Sequence, residues 1–108
     1  MTFNDYQRNT AKTAIYPPEI GLAYVTMGLA GEAGEIANKV KKIYRDKQGV
    51  LDDETRAILS AELGDVLWYV SQLATEVGVD LATVANDNIK KLTSRKERGT
   101  LTGDGDNR

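Results

Sequence analysis

The sequence predicts an all-α protein, and three observations carry that expectation. Apolar residues recur in steps of three and four over two long segments. Helix-starting acids and a helix-ending glycine punctuate the chain at matching places. No segment shows strand-like alternation of useful length.

The elements follow in order. Asn4 to Ala14 is expected to form a short helix with Phe3, Tyr6 and Ile15 as sparse apolar anchors, and the adjacent Pro17 and Pro18 separate it from the main body. From about Ile20 to Tyr44, the residues Leu22, Val25, Leu29, Ala33, Ile36, Val40 and Ile43 form one amphipathic stripe. The polar stretch Arg45 to Asp53, with Gly49, reads as a loop. Asp52 or Asp53 then caps a second long helix to about Val77, with Leu59, Leu63, Val66, Val70, Leu73 and Val77 inward. Gly78 ends it, and Asp80 is placed to cap a last helix, Leu81 to Arg95, whose inward residues are Leu81, Val84, Ala85, Ile89 and Leu92. The expected architecture is an antiparallel helical bundle of two long helices plus shorter N- and C-terminal helices. Residues 1–98 form its single domain. The tail, GTLTGDGDNR at 99–108, has no apolar face to dock and is expected to be flexible. A chain of 108 residues with so few helices buries little surface alone, and Ile58, Leu67, Trp68 and Ala74 lie outside one narrow stripe, so a homo-oligomer is expected.

Composition narrows the chemistry. Cysteine and histidine are both absent, which removes thiol nucleophiles, disulfides, iron–sulfur clusters, ordinary structural zinc and histidine acid–base catalysis. Any metal must be held by oxygen, which favours Mg²⁺ or Mn²⁺. A net charge of −2 gives no global field toward nucleic acid or an anionic membrane. The lack of cysteine fits a cytoplasmic protein, the N-terminal residues lack the apolar core of a signal peptide, and no run approaches a membrane span.

Four acids fall in two matched pairs, Glu32 with Glu35 and Glu62 with Asp65. A spacing of three turns a helix by about 300°, so each pair shares one face. Both pairs lie roughly a quarter-turn from their helix's apolar stripe, in the same sense. An antiparallel pairing, the default for helices joined by a short loop, then puts them on one side of the seam. Each pair is also roughly 16 Å from the loop at 1.5 Å per residue. Four facing carboxylates repel one another unless cations sit among them, which points to a divalent-metal site. The competing reading is a solvated acidic face. Glu35 has Lys39 four residues on, an ordinary helix pair, whereas Glu62 and Asp65 have no basic residue three or four positions away.

The same residues carry a resemblance. The stretches GLAGEAGEIANKVKK, AELGDVLWYVSQLATEVGVDL and NDNIKKLTSRKERG are similar to the MazG-like nucleoside triphosphate pyrophosphohydrolases, over about Tyr6 to Arg98. The motif is E-x-x-E followed one loop later by E-x-x-D, framed by GEAGE and ELGD. The resemblance implies an all-α homodimer or dimer of dimers in which the four acids bind Mg²⁺. It also implies cleavage of a nucleoside triphosphate between its α- and β-phosphates. It makes Glu32, Glu35, Glu62 and Asp65 metal ligands, and Asn88 through Lys91 to Arg95 a phosphate-facing basic segment. Some members carry a further glutamate directly before the first motif acid; here that position is Gly31, and no role resting on that acid carries over.

The chemistry agrees. A triphosphate cannot approach four carboxylates without cations to invert the local field. Mg²⁺, with Mn²⁺ as a substitute, bridges carboxylate and phosphate oxygens and acidifies a water, while a carboxylate not saturated by metal serves as general base, for which Glu35 is the candidate. Lys91 and Arg95 share one face of the last helix and suit phosphate oxygens, or simply decorate a helix end. Lys39 continues the acid stripe toward the β- and γ-phosphates or is a surface lysine, and Lys42 reads as surface. Tyr69 projects on the acid side, where it stacks on a base or packs the core. Trp68 points away from both stripe and seam, toward a subunit interface. Asp104 and Asp106 lack the rest of a calcium loop. The readings to be separated are a nucleoside triphosphate pyrophosphohydrolase, a more specialised deoxynucleotide hydrolase, and a non-catalytic nucleotide-binding or helical interaction protein of the same fold. Intact acids at all four positions weigh against the last.

Overall fold

Three of the four helices among the described residues start where side chains satisfy their first amides, whereas the second is led in by a 3₁₀ turn and has no side-chain cap. The computed structural model describes residues 1–106 and 108. Among them are four α-helices and no strand: α1 Phe3–Ala11, α2 Gly21–Lys47, α3 Asp53–Glu76 and α4 Leu81–Glu97, with a 3₁₀ turn at Pro18–Ile20 leading into α2. No helix is long and apolar enough to cross a membrane.

Thr2 caps α1, its hydroxyl accepting from the Asp5 amide at 3.0 Å while the Asp5 carboxylate accepts from the Thr2 amide at 2.9 Å. Asp52 and Thr55 make the same reciprocal arrangement at the start of α3, at 2.8 and 2.9 Å. The Thr55 amide, followed by Lys47, holds the Asp52 carboxyl down to about 2. α4 departs from expectation. Asp80 occupies the N-cap position but makes no capping bond. Instead Gln7 of α1 accepts from the Leu81 amide at 2.8 Å, and Asn4 accepts from the Ala82 amide at 3.1 Å. α1 lies across the start of α4, so its two amide side chains reach the free donors that Asp80 would otherwise take.

The boundaries also shift. α1 ends at Ala11 rather than Ala14. α2 runs through Lys47, so the connection to α3 is shorter than the expected loop. Arg45, Asp46 and Lys47 are compatible with helix, and the chain turns only at Gln48 and Gly49, whose φ angles of 54° and 78° are left-handed. Gly78, at φ 77°, closes α3 in the same way, with the Val79 amide donating to the Ala74 carbonyl at 2.9 Å.

α2 packs along α3, and its facing positions run down α3 as they run up α2. Gly21 faces Glu76, Gly28 faces Tyr69, and Lys47 reaches Asp52 at 3.1 Å. A Cβ at Gly28 would overlap the Tyr69 ring, so only glycine admits that contact. α1 packs on α3 through polar groups: Thr10 bonds Ser71 and Gln72, each at 2.8 Å, and all three are buried. Gln72 in turn donates to the Tyr16 hydroxyl at 3.1 Å.

The apolar core of one chain is small: Val25, Ile43, Ala74 and Leu81 are its buried members. Several residues expected inward are exposed, namely Leu22 and Ala33 on α2, Leu63 and Val77 on α3, and Val84, Ile89 and Leu92 on α4. For α4 the cause is geometric. Among the described residues it packs on α1 and α3 but not on α2, so α2 does not cover the rest of its apolar face, and Ile89 is 63% exposed.

The borrowed cap gives a test. Gln7→Ala removes the acceptor for the Leu81 amide and should destabilise the chain by about 1–2 kcal/mol, whereas Asp80→Ala should change it by less than about 0.5 kcal/mol. Urea unfolding measures both, and amide exchange at Leu81 and Ala82 should quicken in the first variant alone.

Candidate metal centre

Glu62 and Asp65 stand one turn apart on α3, and the seam lays Glu32 of α2 against them. One carboxylate oxygen from each lies within 4.8 Å of the other two. Glu35, a turn further along α2, is exposed and stands outside that group. The structure therefore brings together three of the four acids, with the fourth at the rim.

The cluster is electrostatically strained in the way that pattern implies. Burial raises the Glu32 carboxyl above its ordinary range, and the charges of Asp65 and Glu62, then Glu35, raise it further. Relief comes from Lys39, whose Nζ lies 3.4 Å from Glu62 Oε1. The cation that α3 lacks in its own sequence thus arrives from α2. Lys39 turns to Glu62, and no ion pair with Glu35 forms among the described residues.

Aromatic groups gather beside the acids. A cleft of about 340 Å³ is lined by Thr13, Glu32, Asp65, Trp68 and Tyr69. The Trp68 and Tyr69 rings meet nearly at right angles, 83°, with centroids 5.0 Å apart. Tyr24 stacks on Tyr16 at 4.9 Å behind them. Trp68, expected to point away, is turned into the cleft wall because the link between α1 and α2 covers it: its Nε1 donates to the Thr13 hydroxyl at 2.8 Å. Tyr6 of α1 also faces this region. Burial and then the Asp65 charge push its hydroxyl up, and burial, Tyr24, Glu32 and Asp65 do the same for Tyr69. Nothing in the spacing of α2 and α3 announces Thr13 or Tyr6. The only hint in the sequence is that an aromatic anchor sits on a short, otherwise polar helix.

A second cavity, about 240 Å³, opens toward the α2–α3 loop and is lined by Lys39, Lys42, Ile43, Asp46, Lys47, Thr55 and Ile58. The remaining candidates lie elsewhere. Asn88 is exposed, Lys91 is half-buried and Arg95 is buried, and none of them lines either cavity. Lys91 and Arg95 instead hold Asp106 of the tail: its carboxylate lies 3.1 Å from Lys91 Nζ and 3.2 Å from Arg95 Nη2, and Arg95 also donates to its carbonyl at 2.9 Å. Those two cations hold the Asp106 carboxyl below its ordinary value.

Three converging carboxylates, with no nitrogen or sulfur donor, fit a hard divalent cation such as Mg²⁺ or Mn²⁺. The raised Glu32 carboxyl fits it too, because a cation restores the charged form that burial and its neighbours disfavour.

Residues 22–100 match the model of the MazG nucleotide pyrophosphohydrolase domain, a span that takes in nearly all of α2 and the whole of α3 and α4. The chain is 60% identical over 114 aligned residues to the gene 37 protein of Mycobacterium phage L5, and the alignment covers the whole of both. No solved structure matches it.

The strain on Glu32 has a measurable sign. Its folded pKa lies above its ordinary value of 4.5, so the folded state binds the proton more tightly. Without metal, stability therefore falls as pH rises from 4.5 through the folded pKa. Glu32→Gln should unfold at a higher temperature than wild type in EDTA at about pH 7, and the difference should vanish below about pH 4. Added Mg²⁺ should raise the melting temperature of wild type more than that of the variant.

Proposed function

The chain belongs to the MazG nucleotide pyrophosphohydrolase family, and from that membership we propose that it is a Mg²⁺-dependent hydrolase converting a nucleoside triphosphate or deoxynucleoside triphosphate to the monophosphate and pyrophosphate, in cleaning or control of a nucleotide pool. The observation that carries this reading is the convergence of Glu32, Glu62 and Asp65 within 4.8 Å beside an aromatic cleft.

In this reading Glu32, Glu62 and Asp65 hold the cation, with Glu35 at its edge; Mn²⁺ would serve in place of Mg²⁺. A cation held there would neutralise triphosphate charge and make a water more acidic. Glu35 lies outside the three-acid group, so its carboxylate is available to accept the proton of the attacking water. The water oxygen joins the α-phosphorus, the bond from that phosphorus to the α–β bridging oxygen breaks, and pyrophosphate leaves. The base stacks on Tyr69, with the Trp68 ring standing nearly at right angles beside it. The cleft is within the size range of small-molecule sites.

Asn88, Lys91 and Arg95 are assigned to phosphate contact. Within one chain they line neither cavity, so that contact requires a second copy, and Asp106 must release Lys91 and Arg95 first. A homodimer or homotetramer of antiparallel helical bundles is supported by the descending register of α2 on α3 and by the exposed Leu22, Met27, Leu63 and Ile89. Residues 1–98 would be the catalytic domain and 99–108 an appended tail. The cytoplasm, where nucleotide pools are held, is the proposed location.

Two measurements test this. Pyrophosphate release from a panel of canonical and modified triphosphates should require Mg²⁺ and stop in EDTA, and Asp65→Asn should lower kcat by at least about 100-fold with the fold intact. Turnover unaffected by EDTA and by Asp65→Asn would reject the reading, whereas nucleotide binding without any turnover would favour the non-catalytic alternative. Sedimentation should find no folded monomer at micromolar concentration.

A further inference from the structure

Beyond α4 the chain folds back on that helix. It turns at Gly99 and again at Gly105, with φ angles of 72° and 80°, and returns Asp106 to the face that carries Lys91 and Arg95. Arg95 is 4% exposed, and Asp106 is its one acidic partner among the described residues. The Asp106 side chain is itself 81% exposed. A buried guanidinium needs an anion, and this one draws it from a carboxylate that stands open to solvent.

What holds the segment is polar. Arg108 donates to the carbonyls of Thr100 and Leu101 at 3.0 and 2.9 Å and to that of Gly105. Arg98 donates to the Arg108 backbone oxygen at 2.6 Å. Leu101, the one large apolar residue between positions 99 and 108, stays 41% exposed. Among the described residues no buried apolar side chain belongs to the segment, and ion pairs so exposed contribute little net stability. It is therefore placed by several weak bonds and can leave without opening the core. An anion of higher charge than a single carboxylate competes with Asp106 for the same two donors.

We propose that the segment beyond α4 is an autoinhibitory strap, in which Asp106 occupies the anion site of Lys91 and Arg95 until a polyphosphate displaces it. The proposal rests on the assignment of those two cations to phosphate contact. A site that is open for only a fraction of the time binds with an affinity lowered by that fraction. The strap thus sets a threshold of ligand charge and concentration below which α4 is closed. Lys91 and Arg95 line neither cavity of their own chain, so in an oligomer the strap of one copy restrains the site of its neighbour.

Calorimetric titration of the full-length chain with sodium pyrophosphate in EDTA tests this. Asp106→Asn should tighten binding about three- to tenfold. Asp104→Asn makes the same change of charge at a residue with no ion pair among the described residues, and should bind as wild type does. In a Lys91→Gln background, Asp106→Asn should bring a smaller gain, because one of its two contacts is already gone. Amide NMR reads the strap directly: pyrophosphate should move the Gly103 and Gly105 signals of wild type toward their positions in Asp106→Asn. Equal tightening in the two aspartate variants, no tightening in Asp106→Asn, no binding in any variant, or glycine signals indifferent to bound pyrophosphate would each overturn the strap. In turnover, Asp106→Asn should lower KM for a triphosphate by the same factor at unchanged kcat. A wild-type chain whose strap opens with pyrophosphate but that hydrolyses no triphosphate would keep the strap and refute the hydrolase. A chain that hydrolyses triphosphates with Asp106→Asn indistinguishable from Asp104→Asn would refute the strap alone.

Discussion

The close approach of α2 to α3 at Gly28 is the constraint on which the rest of the structure depends. With a hydrogen in place of a side chain, the Tyr69 ring settles on the α2 backbone, and that contact fixes where one helix stands along the other. One turn on, the same register sets Glu32 against Asp65 and Glu62. Two turns beyond Glu32 it delivers Lys39 to Glu62. The Tyr69 ring is therefore both the wedge that spaces the helices and a wall of the cleft beside the acids. A site assembled this way needs no long loop, because every group projects from a helix whose position the seam dictates.

The interior of the chain is unusually polar for its size. Thr10, Ser71 and Gln72 are buried in mutual hydrogen bonds where α1 meets α3, and Arg95 is buried against the tail. Such bonds add little net stability but are costly to leave unmade, so they specify one arrangement of α1 rather than hold it strongly. The acid group adds repulsion to the same molecule, most of all at Glu32. With Val25, Ile43, Ala74 and Leu81 as its buried apolar members, one chain sets little hydrophobic burial against these demands.

The sequence carried the long helices and the acid spacing clearly, because both are periodic and local. The stripe from Leu22 to Ile43 could be read as helix without knowing what it touches, although Leu22 itself proved exposed. Helical angles also placed two acid pairs on one seam, but their error of tens of degrees is enough to leave Glu35 at the rim while Glu32 goes in. What escaped was set by parts distant in sequence. The orientation of Trp68 follows from Thr13, the start of α4 from Asn4 and Gln7, and the partner of Glu62 from a lysine on the opposite helix. The face of α4 escaped for a different reason: its periodicity is real, but α1 and α3 meet only its start, and Ile89 is left exposed.

The cap that α1 lends to α4 bears on the order in which the molecule assembles. Gln7 and Leu81 are 74 residues apart, so their bond closes about two thirds of the 108-residue chain into one loop. α2 and α3 are joined by a few residues and can pair through local contacts, which form quickly. The start of α4 cannot be satisfied until α1 has docked on α3, and α1 docks through hydrogen bonds that exist only once Ser71 and Gln72 are in place. On a ribosome the first helix made thus waits until most of α3 has been made before it can dock. The cap on α4 then forms late, and the hairpin that bears the acids is already standing when it does.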